Sequence, residues 1–483
     1  MENIKRIFAF LLSVSALSAA VSCSKKNPEP EESSESTATA SEPVKTGGSV
    51  KGQTIYWMAD YDINPGEGEE RSTALALFED VYGGKVEYIP APAGELTTAL
   101  SERINAGEPV DMVPYEPTAF PYGTTSSVKL YQRLDGFYDT LEADTELWSD
   151  MSGVIEDFSI NGAHYVLPYS LSAPHLITYS RKIMESERLE DPKELWEKGE
   201  WNWDTMTDMM NKFLEKTPED AERFGIGGFV GQAILGSTGH TVITLEDGTF
   251  RNNIGDAEIE KAENYLGGIS GNNLYRHETA DYFPDNHSTL FLAMPDWSLG
   301  MSNKKNPDMD LMAVPFPNAP GADKKYITCD FNAKMLAFNS VQGEAVATYI
   351  KCERLVATSE KYREEAKKMA VGEAKDGFLT EEQYDAVQEY LDTSVTVPVI
   401  DFSYGAGNRM FSKGGTTVET RGVMNNLESS MLEQLPAPVE PETQPSEEGQ
   451  QTPAAGPTEE VSWNALKNAV SKIIDEELAA LNG

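Results

Sequence analysis

Cysteine is scarce in this chain of 483 residues: Cys23, Cys329 and Cys352 are the whole set. Three thiols are too few for a disulfide framework and lack the spacing of zinc ligands, so at most one bridge, between the last two, stays open. Histidine is nearly as scarce, with His164, His175, His240, His277 and His287 and no close pairing for a metal. His277-Glu278 begins like the zinc-protease H-E-x-x-H, but Asp281 stands where the second histidine belongs. No G-x-S-x-G nucleophile elbow occurs. The glycines at 225, 227, 228 and 231 miss the G-x-G-x-x-G spacing of a nucleotide cradle. Basic charge is short as well: 39 Lys and Arg face 79 Asp and Glu, a net charge of −40. Nucleic-acid binding draws its affinity from Lys and Arg that release phosphate counterions, so a polyanion of this kind has no nucleic-acid partner. Two carboxylates at glycosidase separation are a catalytic arrangement that so acidic a chain leaves open.

Long apolar runs are missing too, apart from Ile7 to about Val21, which follows Lys5 and Arg6 and ends in small residues before Cys23. That run falls short of the roughly 20 apolar residues a spanning helix needs and reads as a signal peptide over residues 1–22. Ala20-Val21-Ser22-Cys23 resembles the bacterial lipoprotein signal, although leucine is usual where Ala20 stands. The resemblance implies acylation of Cys23 and a lipid-anchored, extracytoplasmic protein. Residues 23–51 are rich in Ser, Glu, Pro and Thr, cannot offset the entropy of ordering, and are expected to form a flexible tether. A second low-complexity stretch, Pro436 to Glu460, is expected to be a disordered acidic insert. Beyond it, residues 461–483 place Trp463, Leu466, Val470, Ile473 and Leu481 on one helical face, so an amphipathic helix docked on the body is expected.

The remaining folded part is too long for one core, and two domains are expected. TIYWMAD reads as a strand. ERSTALALFEDVYGG has helical spacing with Ser72 as cap, and KVEYIPAP is a second strand. ELTTALSERINAGEP repeats the helical pattern before PVDMVPYE. The order βαβαβ predicts a parallel sheet with right-handed crossovers, whose ligands sit outside the carboxyl ends of the strands. Trp57, Asp60, Tyr61 and Asp62 fall in or after the first strand, and Asp111, Tyr115 and Glu116 in or after the third.

Further along, the segments INAGEPVDMV, NGAHYVLPYSLSAPHLITYSRKIME, GEWNWDTMTDMMNKF, FLAMPDWSLGM and DLMAVPFPNAPGADKKYIT follow one another. In order and spacing they resemble the extracellular solute-binding proteins of carbohydrate ABC importers, the family of maltose-binding protein, over about residues 52–435 and 461–481. The resemblance implies an α/β, two-lobe periplasmic-binding-protein-like fold (type II) with crossover strands and hinge closure on the solute. Lobe 1 is expected to hold 52–173 with 328–395, and lobe 2 to hold 174–327 with 396–435. The crossovers are expected near Ser172–Ile177 and Ile327–Asp330, although Asp330 and Asn332 stand where the family usually has glycines. The implied protein is a monomer without cofactor or catalysis, handing a carbohydrate, an oligosaccharide, to membrane permease subunits. Alternatives are a surface glycoside hydrolase and a carbohydrate-binding or sensor lipoprotein without transport.

A sugar presents apolar C–H faces and many hydroxyls, and its site needs aromatic platforms beside carboxylates and amides. Trp57, Tyr61 and Trp297 fit the first need and Asp60, Asp62 and Asp296 the second, the resemblance implying that Trp297 stacks on ligand. Tyr404 and Arg409, with Phe402, occupy the late segment that lines the site in the family. Trp201 and Trp203 are expected to pack their helix against the lobe.

Overall fold

A computed structural model describes residues 50–65, 71–115, 120–125, 128–219, 221–271, 274–276, 281–284, 288–400 and 463–482. Cys23, Glu116, His277, Glu278, His287, Phe402, Tyr404, Arg409 and the segment 436–460 lie outside them. The chain divides into two compact units. The first takes its described residues from those up to Pro114, from Leu130–Trp148 and from Lys334–Ser359; the second takes them from Tyr115–Lys129, Ser149–Ala333 and Glu360–Gly483.

In the first unit the expected alternation is present. Strands Thr54–Ala59 and Lys85–Pro90 pair in parallel from Thr54 opposite Lys85 to Ala59 opposite Pro90. Between them runs Thr73–Ala76, continued by the π-helical turn Leu77–Val81, and Ser72 accepts the Leu75 N–H as cap. Helix Leu96–Ala106 ends at Gly107, whose φ of 70° lets its N–H reach Arg103 and Ile104 carbonyls. Met112–Pro114 then joins the first strand in parallel. The fourth strand, Lys334–Leu336, arrives from far along the chain and runs antiparallel to Met112–Pro114, so the sheet is mixed rather than wholly parallel. Helix Gly343–Thr358 packs beside it, with Arg354 buried under Trp148 and donating to the Leu147 carbonyl at 2.8 Å.

The second unit is built on a sheet in the order Leu311–Pro315, His175–Ser180, Thr289–Pro295, Phe224–Gly228. All six residues of His175–Ser180 are buried, as a strand with neighbours on both edges and layers on both faces requires. Helix Trp203–Leu214, capped by Asn202, buries Met206, Met209, Met210 and Phe213. Trp201 and Trp203 are packing residues: their indole N–H groups donate to the Pro315 carbonyl and to Ser237 Oγ, both at 2.9 Å.

The described residues of 115–129, 149–173, 328–333 and 360–395, all expected in lobe 1, group instead with the second unit. For 360–395 the reason is helix Glu381–Tyr390, whose Gln383 and Tyr390 donate to the carbonyls of Leu311 and Ala313 on that unit's sheet. Helix Trp463–Asn482 also lies in this unit, against the hairpin Ile243–Glu246 and Thr249–Asn252. Among its described side chains Ile474 and Leu478 are buried and Leu481 is partly packed. Cys329 and Cys352 are free, buried thiols, one in each unit.

Candidate functional site

The first strand of unit one delivers its side chains alternately to the two faces of the sheet, and that alternation decides the fate of the expected site residues. Trp57 is 0 % exposed, opposite Tyr88 and Met112 on the flanking strands. Its Nε1–H donates to the Tyr61 carbonyl at 2.9 Å, and Lys334 Nζ lies 5.7 Å from the ring centre. The ring has no face left for a sugar. Trp57 is a core residue, contrary to its expected role.

Asp111 is likewise structural. It is 4 % exposed and accepts from the Tyr56 N–H at 2.9 Å and from Ser340 Oγ–H at 2.6 Å, which leaves no oxygen directed at solvent-borne ligand. Burial raises its pKa above the usual carboxylate value against the pull of those two bonds.

Beyond the strand end the residues do open to solvent. Asp60 and Asp62 are exposed and Tyr61 is half-buried, standing edge-on to Trp57 with ring centres 5.5 Å apart. Asp62 accepts the Asn64 N–H at 2.7 Å, and Asn64 in turn donates to the Val86 carbonyl, which fixes the loop to the second strand. Tyr88, missed in the sequence, joins them: half-buried, it donates to the Ala59 carbonyl at 3.1 Å. Burial raises its pKa, and the Asp62 and Asp60 charges add to the rise. Its register opposite Trp57 is the signal that would have found it.

The second unit repeats this arrangement at the carboxyl end of Thr289–Pro295. Asp296 begins helix Trp297–Lys305, and its N–H donates to the Pro174 carbonyl at 3.1 Å. Both Asp296 and Trp297 are partly exposed. Shielding from water pushes the Asp296 carboxyl up to about 7, with the Asp330 charge adding and the Trp297 amide opposing. Asp330 itself is exposed on the short strand Asp330–Asn332, paired antiparallel with Ser170–Ser172. Ser172 and Pro174 therefore hold Asp330 and Asp296 respectively. Ala173 between them bends at a φ of 46°.

Tyr115 stands in an aromatic cluster. Its ring centre is 4.6 Å from that of Phe331, which is 4.7 Å from Phe158, and Phe120 closes the group at 5.8 Å from Tyr115. Phe120 and Phe158 are buried, whereas Tyr115 and Phe331 are partly exposed. Phe331 is not legible in the sequence, because a single aromatic in a short strand carries no periodic signal. Among the described residues no group of three or more His, Cys, Asp or Glu is placed to hold a metal ion.

A sequence model of the bacterial extracellular solute-binding protein family matches residues 73–322, just over half of the chain. The chain belongs to that family. Its fold is that of solved sugar-binding proteins at low identity. The sugar-binding protein MalE from the phytopathogen Xanthomonas citri matches with a TM-score of 0.59 at 12% identity, over 88% of this chain and 98% of that one. The substrate-binding protein from Listeria monocytogenes in complex with cycloalternan gives 0.52 at 16% identity, over 88% and 98%. The galacto-N-biose-/lacto-N-biose I-binding protein of the ABC transporter from Bifidobacterium longum gives 0.56 at 11% identity, over 91% and 99%. The family and these structures bear out the expected α/β periplasmic-binding-protein-like class and the extracellular solute-binding role. No curated protein matches the chain. Among the described residues no helix is long and apolar enough to cross a membrane.

Proposed function

We propose that this extracellular solute-binding protein captures a carbohydrate, an oligosaccharide, and delivers it unchanged to the transmembrane subunits of an ABC importer. The observation that carries the reading is the pairing of partly exposed aromatic rings with carboxylates at strand ends in each unit: Tyr61 and Tyr88 with Asp60 and Asp62, and Trp297 with Asp296. A hydroxyl-rich, uncharged ring meets a stacking face and hydrogen-bond acceptors there. The solved structures of like fold support it: one is a sugar-binding protein, one was solved in complex with cycloalternan and one with lacto-N-biose. Tyr115 and Phe331 offer a further apolar face. The protein acts as a monomer and makes no covalent bond to its ligand, and acylated Cys23 tethers it to the outer face of the cell membrane.

Titration of intrinsic Trp fluorescence with a panel of mono- and oligosaccharides tests the ligand class. Saturable binding with the sugar recovered intact is expected; silence with every glycan, or the release of hydrolysis products, overturns the reading. Mass spectrometry of the N-terminal peptide tests the anchor separately, with Cys23→Ser expected to shed the protein into the medium.

A further inference from the structure

A cavity of about 280 Å³ opens within the second unit, where the turn Gly199–Asn202 faces the loop Asn318–Lys325. Its volume sits near the lower end for small-molecule pockets, roughly 300 Å³ and upward. The loop is held in shape by Asn318. Its side chain donates to the Lys324 carbonyl at 2.5 Å and accepts the Tyr326 N–H at 3.3 Å, while its carbonyl accepts from Trp203. Trp196 and Trp201 form the apolar wall; the Trp201 N–H is already committed to Pro315 and contributes no donor.

Lys325 lines the same space. Its Nζ lies 3.6 Å from the centre of the Trp196 ring, and among the described residues the ammonium has no hydrogen bond and no ion pair. Loss of hydration lowers its pKa, Glu389 and Glu197 attract it from beyond ion-pair distance, and Lys193 repels it. An ammonium held against an indole without a counter-charge is unusual in a chain of net charge −40. Cation–π attraction alone supplies about 0.5–2 kcal/mol, and at this partly exposed position it leaves the three N–H donors of the ammonium to water. A carboxylate entering the cavity would satisfy them with charge-assisted bonds. Asp323 lines the cavity too, exposed and accepting the Tyr326 hydroxyl at 2.7 Å, and it sets the bound carboxylate to the Lys325 end; charges beyond roughly 8 Å are screened at physiological ionic strength.

We propose that this cavity is an accessory site for a small anionic sugar of the hexuronate kind, its carboxylate on Lys325 where that ammonium covers the buried Trp196, and its ring and hydroxyls along the turn Gly199–Asn202. The site lies within one unit and does not depend on the oligosaccharide reading above.

The full chain, labelled with ¹⁵N at the indoles, is titrated with sodium D-glucuronate, and with D-glucose and sodium acetate as the neutral and ringless counterparts. Glucuronate is expected to shift the Trp196 and Trp201 indole signals saturably, at least tenfold more tightly than either control. Lys325→Met, which keeps an apolar stem over Trp196, is expected to weaken glucuronate at least tenfold, and Lys325→Arg to retain it. The affinity for any neutral oligosaccharide is expected to be the same in wild type and Lys325→Met, which separates a failure here from a failure of the proposed transport role. Equal affinity for glucuronate and glucose, a linear response without saturation, or an unchanged Lys325→Met titration in protein that melts like wild type would overturn the site. Should Lys325→Met melt early, Lys325→Arg losing glucuronate along with its controls overturns it equally.

Discussion

Asn482 pairs its carboxamide with the backbone of Phe250, accepting the N–H at 2.8 Å and donating to the carbonyl at 2.9 Å. The amide thus acts as one more residue of a strand, covering the edge of a two-stranded hairpin that would otherwise present both groups to solvent. Asn252 adds bonds to Ser471 and Asp475 of the same helix. Replacing Asn482 by Ala is expected to cost about 1 kcal/mol, since two net hydrogen bonds are lost at a partly exposed position. Hydrogen exchange reads it directly: the Phe250 amide should exchange several-fold faster in the variant while amides of the central strand His175–Ser180 keep their rates. Deleting 463–483 also uncovers the partners of Ile474 and Leu478, and the melting of the second unit should fall further.

The two tryptophans expected to stack on ligand separate into different roles. Trp57 is closed in on all sides, so Trp57→Ala should destabilise the first unit by about 3–5 kcal/mol, the usual cost of emptying so large a buried volume. Trp297 is partly exposed at a helix start. Trp297 packs its buried part against the core, so Trp297→Ala should cost about 1–2 kcal/mol of stability, less than Trp57→Ala, and weaken oligosaccharide binding tenfold or more. Denaturant melts and fluorescence titrations on the two variants distinguish the roles; Trp297→Ala with wild-type affinity would remove that residue from the site.

Asp111 makes a third case. Its two accepted bonds, from Tyr56 N–H and Ser340, tie the first strand to the turn after Lys334–Leu336. Asp111→Ala leaves a buried amide without its acceptor, and a loss of about 2 kcal/mol is expected. Ser340→Ala removes that donor and also the acceptor of the Gln342 N–H at 3.0 Å, and should cost about 1–2 kcal/mol. Because the Asp111–Ser340 bond is lost in either single variant, the double variant should cost less than the sum of the two but more than Asp111→Ala alone, which urea denaturation of the four proteins will show.

How far the sequence could be read depended on whether the deciding interaction was local. Strands Thr54–Ala59 and Lys85–Pro90, the helices between and after them and the Ser72 cap all rest on spacing and neighbours within a few residues. Burial of Trp57 was not legible, because it depends on Lys334, which joins the same sheet far along the chain. The same holds for Glu381–Tyr390: amphipathic spacing shows a helix, but only the bonds of Gln383 and Tyr390 to Leu311–Pro315 show which sheet it covers. Among the candidate ligand residues, position at a strand end was readable and exposure was not.

Asp296 yields the remaining prediction, which concerns pH. Its carboxyl is pushed up to about 7 by loss of hydration, with Asp330 adding its negative charge, from an ordinary value of about 4. The folded state therefore binds more protons than the unfolded chain between roughly pH 4 and pH 7. This group's contribution to stability is fully present below about pH 4 and is lost as pH rises through 7. Because the residue is partly exposed, about 1–3 kcal/mol is a fair size for the change, below what the full shift would give. Asp296→Asn keeps the shape and removes the charge. Denaturant melts from pH 4 to pH 8 should show the variant gaining on wild type as pH rises and exceeding it at pH 8, while other titrating groups cancel in the difference. In sugar titrations the neutral carboxyl donates a bond that the ionised form does not, so wild-type affinity should vary with a midpoint near 7 and the variant should be flat. Parallel stability curves for the two proteins across that range would show that Asp296 ionises as an ordinary surface carboxylate.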